Sequence, residues 1–354
     1  MARSQKVGVL TFHRCINYGS YWQARCLAEG LQARGDHVVL LDHHSARVNR
    51  AEWKCALQPT LPHKPPREDQ PRYAAKTRKF FESFAALPLS APFPLEDPAA
   101  MEPMDVVVVG SDEVWNFRHP WYAGYPIFFG DGLRAERVVS YAASFGAHDA
   151  AHGIEGRWAD RLRRFAGIGV RDDNSRRLVQ DALGVEPALV LDPCLQFADV
   201  CRRPTEEDPD APVIVYGHGF PGWFAGRVRA WADARGHRLV SLGYRNNWAD
   251  EQRLDAGPEE FAQAMGGARA VVTNFFHGCV FALVNEKPFV TTLSDYRSNK
   301  VAALMRKVGA ERHLMAECAG DLEAVLDVPL DPAVPQTIAN LRRRSELYLD
   351  AVLA

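Results

Sequence analysis

One histidine stands out in "AVVTNFFHGCVFALVNEKPFV", residues 270–290. His277 lies in an otherwise apolar run, and a buried imidazole is costly unless it is hydrogen-bonded. It is either a satisfied core histidine or an acid/base group. "AVVTN" has the character of a strand and the residues after Gly278 that of a helix. This places His277 in the strand-to-helix turn, with its phenylalanine neighbours packing below. Asn274, Phe276 and Gly278 share the turn, and a helix N-terminus behind it favours an anion.

Comparable clusters follow other strands. "INYGSYWQ" brings Asn17, Tyr18 and Gly19 to the start of a helix, as an anion or hydroxyl site or as a loop capped by Ser20. "GSDEVWNF" gathers Ser111, Asp112, Trp115 and Asn116. An aromatic platform with carboxylate and amide groups suits a sugar; the plain alternative is an Asx turn. In "GVRDDNSRRLV" Arg171 precedes a helix and could clamp phosphate or carboxylate, or merely pair with Asp172 or Asp173. Asp192, after "VL", could orient that arginine. "YGHGFPGW" offers Gly217 and His218 as an anion nest. "LSDYRSNKVAALMRKVGA" adds Arg297 and Lys300 before a further helix.

Short β-branched runs alternate with helix-length amphipathic stretches, the pattern of parallel sheets with crossover helices. Strands are expected at "KVGVLTF", "HVVLLD", "DVVVVGS", "RVVSYAAS", "GIGVRD" and "ALVLD", then at "VIVYGHG", "RLVSLGY", "AVVTNF" and "PFVTT". The expected fold is α/β: two doubly wound Rossmann-like domains facing across a cleft. The first spans 1–203, with a Pro-rich insertion or flap at about 48–100. The second spans 210–332, after a linker at Cys201–Pro212. A C-terminal helix, 333–354, is expected to pack back on the first domain. Ligands bind beyond the carboxyl ends of such strands, which makes the strand ends the site candidates.

The 354 residues suit two domains. A formal net charge of −2 provides no global basic field, so nucleic acid is not an expected partner. Seven scattered cysteines with no C-x-x-C pair fit neither a disulfide framework nor a zinc site, and a reducing cytoplasm is expected. No stretch reaches the ~20 apolar residues of a membrane span, and the N-terminus lacks a leader's apolar core. A lipid-linked substrate would therefore be met peripherally.

Taken in order, "INYGSYWQARCL", "VVVVGSDEVWN", "SYAASFG", "GVRDDNSRRLVQDALG", "VLDPCL", "VVTNFFHGCVFALVNEKPFV" and "YRSNKVAALMRKVGA" resemble the polysaccharide pyruvyl transferase family over about residues 5–315. The resemblance implies a GT-B-like architecture. It also implies transfer of the enolpyruvyl group of phosphoenolpyruvate to sugar hydroxyls, giving a pyruvate ketal and phosphate. It makes His277 the acid/base residue and Arg171 the donor clamp, with Arg297 and Lys300 as secondary contacts. Asp112, Trp115 and Asn17 fall on the acceptor side. The chemistry requires no metal, and phosphoenolpyruvate is a co-substrate rather than a cofactor. The family commonly reads Thr-Asp-Ser-Phe-His-Gly where this chain has Thr273 to Gly278 with Asn274 and Phe275, which leaves the donor open. Glycosyl transfer from a nucleotide sugar, or sugar binding without catalysis, are the alternatives. The sequence does not specify acceptor or oligomeric state.

Overall fold

The computed structural model describes residues 4–60, 63–203, 208–293 and 298–354. The first half of the chain runs β1 (Lys6–Leu10), α1 (Tyr18–Gln32), β2 (His37–Leu40), α2 (Ala46–Leu57) and α3 (Gln70–Ala85). It continues with β3 (Met104–Val109), β4 (Ala135–Ala143), β5 (Gly167–Val170), α4 (Asp173–Leu183) and β6 (Ala188–Leu189). The second half runs β7 (Val213–Tyr216), α5 (Gly222–Arg235), β8 (Leu239–Leu242), β9 (Glu251–Arg253), α6 (Pro258–Gly266) and β10 (Ala270–Thr273). Then come α7 (Phe276–Val284), β11 (Phe289–Thr292), α8 (Ser298–Val308), β12 (Leu314–Met315) and α9 (Ala333–Leu353).

Strands such as "MDVVVV" and "VIVY" are almost wholly apolar because helices cover parallel sheets on both faces. They pair in parallel into two six-stranded sheets, β2-β1-β3-β4-β5-β6 and β9-β8-β7-β10-β11-β12. Leu10 lies beside Val109 in the first, and Tyr216 beside Thr273 in the second. Each order reverses once, at β1/β3 and at β7/β10, and each reversal opens a crevice at the carboxyl ends. Helix α1 buries Trp22, Leu27 and Leu31. Asp172 caps α4, and Gly184, at φ 72°, closes it.

The chain forms two compact units. One holds Met1–Glu52, Phe84–Val200 and Asn340–Ala354; the other holds Trp53–Ser83 and Cys201–Ala339. The stretch 48–100 is therefore not one insertion of the first unit, because residues 53–83 belong with the second. Their polar groups explain the allegiance. Arg245 makes two 2.5 Å bonds to the Asp69 carboxylate, Lys76 Nζ donates to the Gly243 carbonyl at 3.2 Å, and Lys79 pairs with Glu260 at 2.7 Å. Of the linker Cys201–Pro212, residues 204–207 lie outside the described residues. Among the described residues no helix is long and apolar enough to cross a membrane.

The end of α9 joins the first unit through side-chain bonds to backbone. Ser345 Oγ accepts from Leu191 N at 2.9 Å, and Tyr348 Oη donates to the Ser140 carbonyl at 2.7 Å. Glycine in β5 permits this approach: a Cβ on Gly169 would lie 2.7 Å from the Tyr348 ring and 3.0 Å from Ser140 O. Gly169→Ala should cost about 1–3 kcal/mol through overpacking, read as a lowered denaturation midpoint. Parental stability would show that α9 does not pack tightly there.

Candidate functional site

In the first unit, side chains stitch the strand ends around the β1/β3 reversal. Asn17 caps α1, its Oδ1 accepting from Gly19 N at 2.9 Å and Ser20 N at 3.2 Å. Ser20 Oγ donates to Asp112 Oδ2 at 2.7 Å. Asp112 holds a left-handed backbone, φ 77°, a costly conformation for a non-glycine residue. Its other oxygen lies 3.6 Å from Arg171 Nη2, and Arg171 Nη1 lies 3.3 Å from Asp192 Oδ2. Asp192 also accepts from Cys194 N at 3.0 Å. Arg171 is buried between two carboxylates, so its charge is already balanced within the protein. A donor anion would have to compete with both.

Two acceptor-side expectations need revision. Trp115 is fully buried, donates Nε1–H to the Phe128 carbonyl at 2.7 Å and packs against Phe129 and Phe145. A ring so enclosed is a core residue and cannot offer a sugar platform. Ser111 is equally buried, its hydroxyl accepting from Asp112 N at 2.6 Å. Tyr18 and Gly19 are buried in the first turn of α1, leaving Asn17 as the exposed member of that motif.

In the second unit, the β7/β10 reversal brings Gly217, His218, Asn274, Phe276, His277 and Gly278 to one strand-end region. Thr273 Oγ1 donates to Tyr216 O at 2.6 Å and accepts from Phe275 N at 3.1 Å. Asn274 Nδ2 donates to His218 O at 2.8 Å. Gly217, at φ 154°, is required because a Cβ there would collide with the Asn274 amide. Cys279 N bonds to Phe275 O, so α7 starts at Phe276. His277 thus sits in the first helical turn rather than in the turn before it, half-buried. Phe275 contributes no side-chain cap, and its ring lies edge-on to Tyr216, His218 and Tyr244 at 5.1–5.2 Å. Lys300 is half-buried on α8, and Arg297 lies outside the described residues.

Two ionisable groups beside these crevices escaped the sequence reading. Glu52 accepts from Ile16 N at 2.8 Å and from Cys15 Sγ at 3.3 Å, beneath the loop that carries Asn17. Burial, assisted by the Asp112 charge, pushes its carboxyl up to about 7 against the pull of those bonds. Lys76 lies against the Gly243 carbonyl, 4.8 Å from the Tyr244 ring centre, and burial pushes its amine down to about 7. A signal existed for both. Glu52 follows Val48 by four residues on the buried side of α2, and Lys76 shares the buried stripe of Tyr73, Thr77, Phe80 and Phe84.

The fold is α/β of the GT-B-like class, with two doubly wound parallel sheets. The UDP-GlcNAc 2-epimerase of Methanocaldococcus jannaschii is similar in fold, with a TM-score of 0.52 at 10% identity, covering 99% of each chain. The UDP-GlcNAc 2-epimerase of Neisseria meningitidis has a TM-score of 0.46 at 8% identity, over 98% of this chain and 93% of that one. The glycosyltransferase SsfS6 of Streptomyces sp. SF2575 has 0.45 at 12%, over 99% and 98%. No curated protein matches the chain in sequence. The family described as polysaccharide pyruvyl transferase matches residues 17–296, and the chain belongs to that family. It is a transferase.

Glu52 should make stability depend on pH. Its folded value exceeds the ordinary 4.5, so its contribution is complete below about 4.5 and is lost as pH rises through about 7. The loss is on the order of 3 kcal/mol. The melting temperature of Glu52→Gln, which retains an acceptor for Ile16 N–H, should gain several degrees on the parent between pH 5 and 8. A pH-independent difference would place Glu52 in ordinary solvent.

For Lys76 the sign is opposite. The unfolded chain takes up a proton near 10.5 that the fold refuses until about 7, so stability falls as pH drops across that window and is level below it. Lys76→Met should remove this slope in denaturation midpoints measured from pH 7 to 10. An unchanged slope would assign it to other groups.

Proposed function

We propose that this transferase moves the enolpyruvyl group of phosphoenolpyruvate onto two hydroxyls of a saccharide or sugar-linked acceptor. The donor C3 methylene takes a proton and becomes a methyl group, and C2 acquires oxocarbenium character. Two C2–O bonds to the acceptor form while the C2–O bond to phosphate breaks. One hydroxyl proton in effect replaces that delivered to C3, and the other leaves with phosphate. Acid–base and electrostatic catalysis suffice for these steps.

The observation that carries this reading is His277 in the first turn of α7 at the β7/β10 reversal, in a chain of this family. The helix dipole favours the phosphate there, and the imidazole is the group we assign to the proton delivered to C3. Gly217, His218, Asn274, Phe276 and Gly278 shape the donor side, with Arg297 and Lys300 as further anion contacts. On the acceptor side, Asn17 and Asp112 meet sugar hydroxyls, while Arg171 holds Asp112 against Asp192 rather than gripping the donor. We place the reaction in the cytoplasm, on the scattered spacing of the seven cysteines with no C-x-x-C pair.

His277→Ala should lower acceptor-dependent phosphate release from phosphoenolpyruvate by about 10²–10⁴-fold, with circular dichroism and melting temperature unchanged. Full activity in that variant would overturn the assignment. Stabilisation by a nucleotide sugar, with none by phosphoenolpyruvate, would point to glycosyl transfer instead.

A further inference from the structure

We propose that the C-terminal half of α2 and the outer side of α3 form a docking surface for an anionic lipid bilayer. Trp53 is 46% exposed, and Leu57 and Phe81 are each 39% exposed. Trp53 and Phe81 form an edge-on pair with ring centres 5.8 Å apart at 79°, so their apolar surface is contiguous. Trp53 and Leu57, four residues apart, share one side of α2. On α3 the buried stripe from Tyr73 to Phe84 passes through Phe80, which turns Phe81 outward.

The charge around this patch selects the partner. Residues 53–83 hold seven Lys and Arg against three Asp and Glu, in a chain of net charge −2. Three of these seven side chains are already engaged: Arg72 with Asp255, Lys79 with Glu260, and Lys76, buried against the Gly243 carbonyl. Lys54, Lys64, Arg67 and Arg78 are exposed, and none of the four makes an ion pair among the described residues. The cores of protein interfaces are depleted in charge, whereas a tryptophan–phenylalanine–leucine patch flanked on its own two helices by Lys54 and Arg78 matches the headgroup region of an anionic membrane. The aromatic rings would enter the interface while the cations meet lipid phosphates. Attachment there would hold the transferase where lipid-linked saccharides are presented, whatever the donor.

The test is flotation of the full chain with vesicles of phosphatidylcholine alone and of phosphatidylcholine mixed with phosphatidylglycerol. Binding should require the anionic lipid and disappear at about 0.5 M salt, where screening is strong. Lys54→Gln and Arg78→Gln should each weaken it about fivefold. The double variant Trp53→Ala/Phe81→Ala should weaken it at least tenfold. Melting temperature, and phosphate release with a soluble acceptor, should stay parental in all three. Absence of binding to anionic vesicles, equal binding to neutral ones, or indifference to these substitutions would overturn the proposal. So would a self-associated species that the double variant dissociates without any vesicle binding, which would make the patch a contact between copies.

Discussion

The order of strands in a parallel sheet constrains everything else in this protein. Where two neighbouring strands send their chains in opposite directions, nothing fills the space beyond their carboxyl ends. Here the reversals are β1/β3 and β7/β10. The candidate site residues lie in the segments that follow these strands: Asn17 after β1, Asp112 after β3, His218 after β7 and His277 after β10. Each crevice is lined by loop backbone, so its polar groups must be satisfied by side chains. Thr11 Oγ1 on the Ser111 carbonyl and Thr273 Oγ1 on the Tyr216 carbonyl perform the same task in the two sheets.

The two units handle buried charge differently. In the first, Arg171 lies between Asp112 and Asp192, and the Ser20 hydroxyl completes the Asp112 shell. Removing Arg171 would leave two buried carboxylates uncompensated, which costs far more than the net worth of the pairs. In the second, burial drives Lys76 towards its neutral form. The Lys76 amine, held by the Gly243 carbonyl and the Tyr244 ring, is pushed down to about 7 and so changes state within the physiological range. Glu52 resembles Lys76 in this respect, although its neighbours are an N–H and a thiol.

Much of this was legible because the central strands, such as "MDVVVV" and "VIVY", are rich in valine and isoleucine and helices such as α1 and α4 carry a side-chain cap. The six strands of the first sheet, the four central strands of the second and the family could be read directly; the short edge strands β9 and β12 were not. Three further things could not be read. Trp115 occupies a strand-end loop, and sequence alone does not show whether its ring turns outward to a ligand or inward to Phe129. Residues 53–83 are adjacent in sequence to the first unit but make their ion pairs more than 170 positions away. The burial of Glu52 and Lys76 depends on what packs over their helices, which local periodicity only hints at.

The substitutions at Asn274 and Phe275 become intelligible together. The Asn274 amide donates to the His218 carbonyl and so ties the end of β10 to the end of β7. An ionised aspartate has no proton to donate and could not make that bond. Phe275 fills the space bounded by Tyr216, His218 and Tyr244, where a serine would forfeit three edge-on ring contacts. The pair thus exchanges a charge and a hydroxyl for a strut and a packed ring. Loss of the carboxylate also removes a negative charge close to the start of α7. The site we assign to the donor is then less repulsive to a phosphate than the usual family pattern, so the departure is compatible with an anionic donor and does not argue against one.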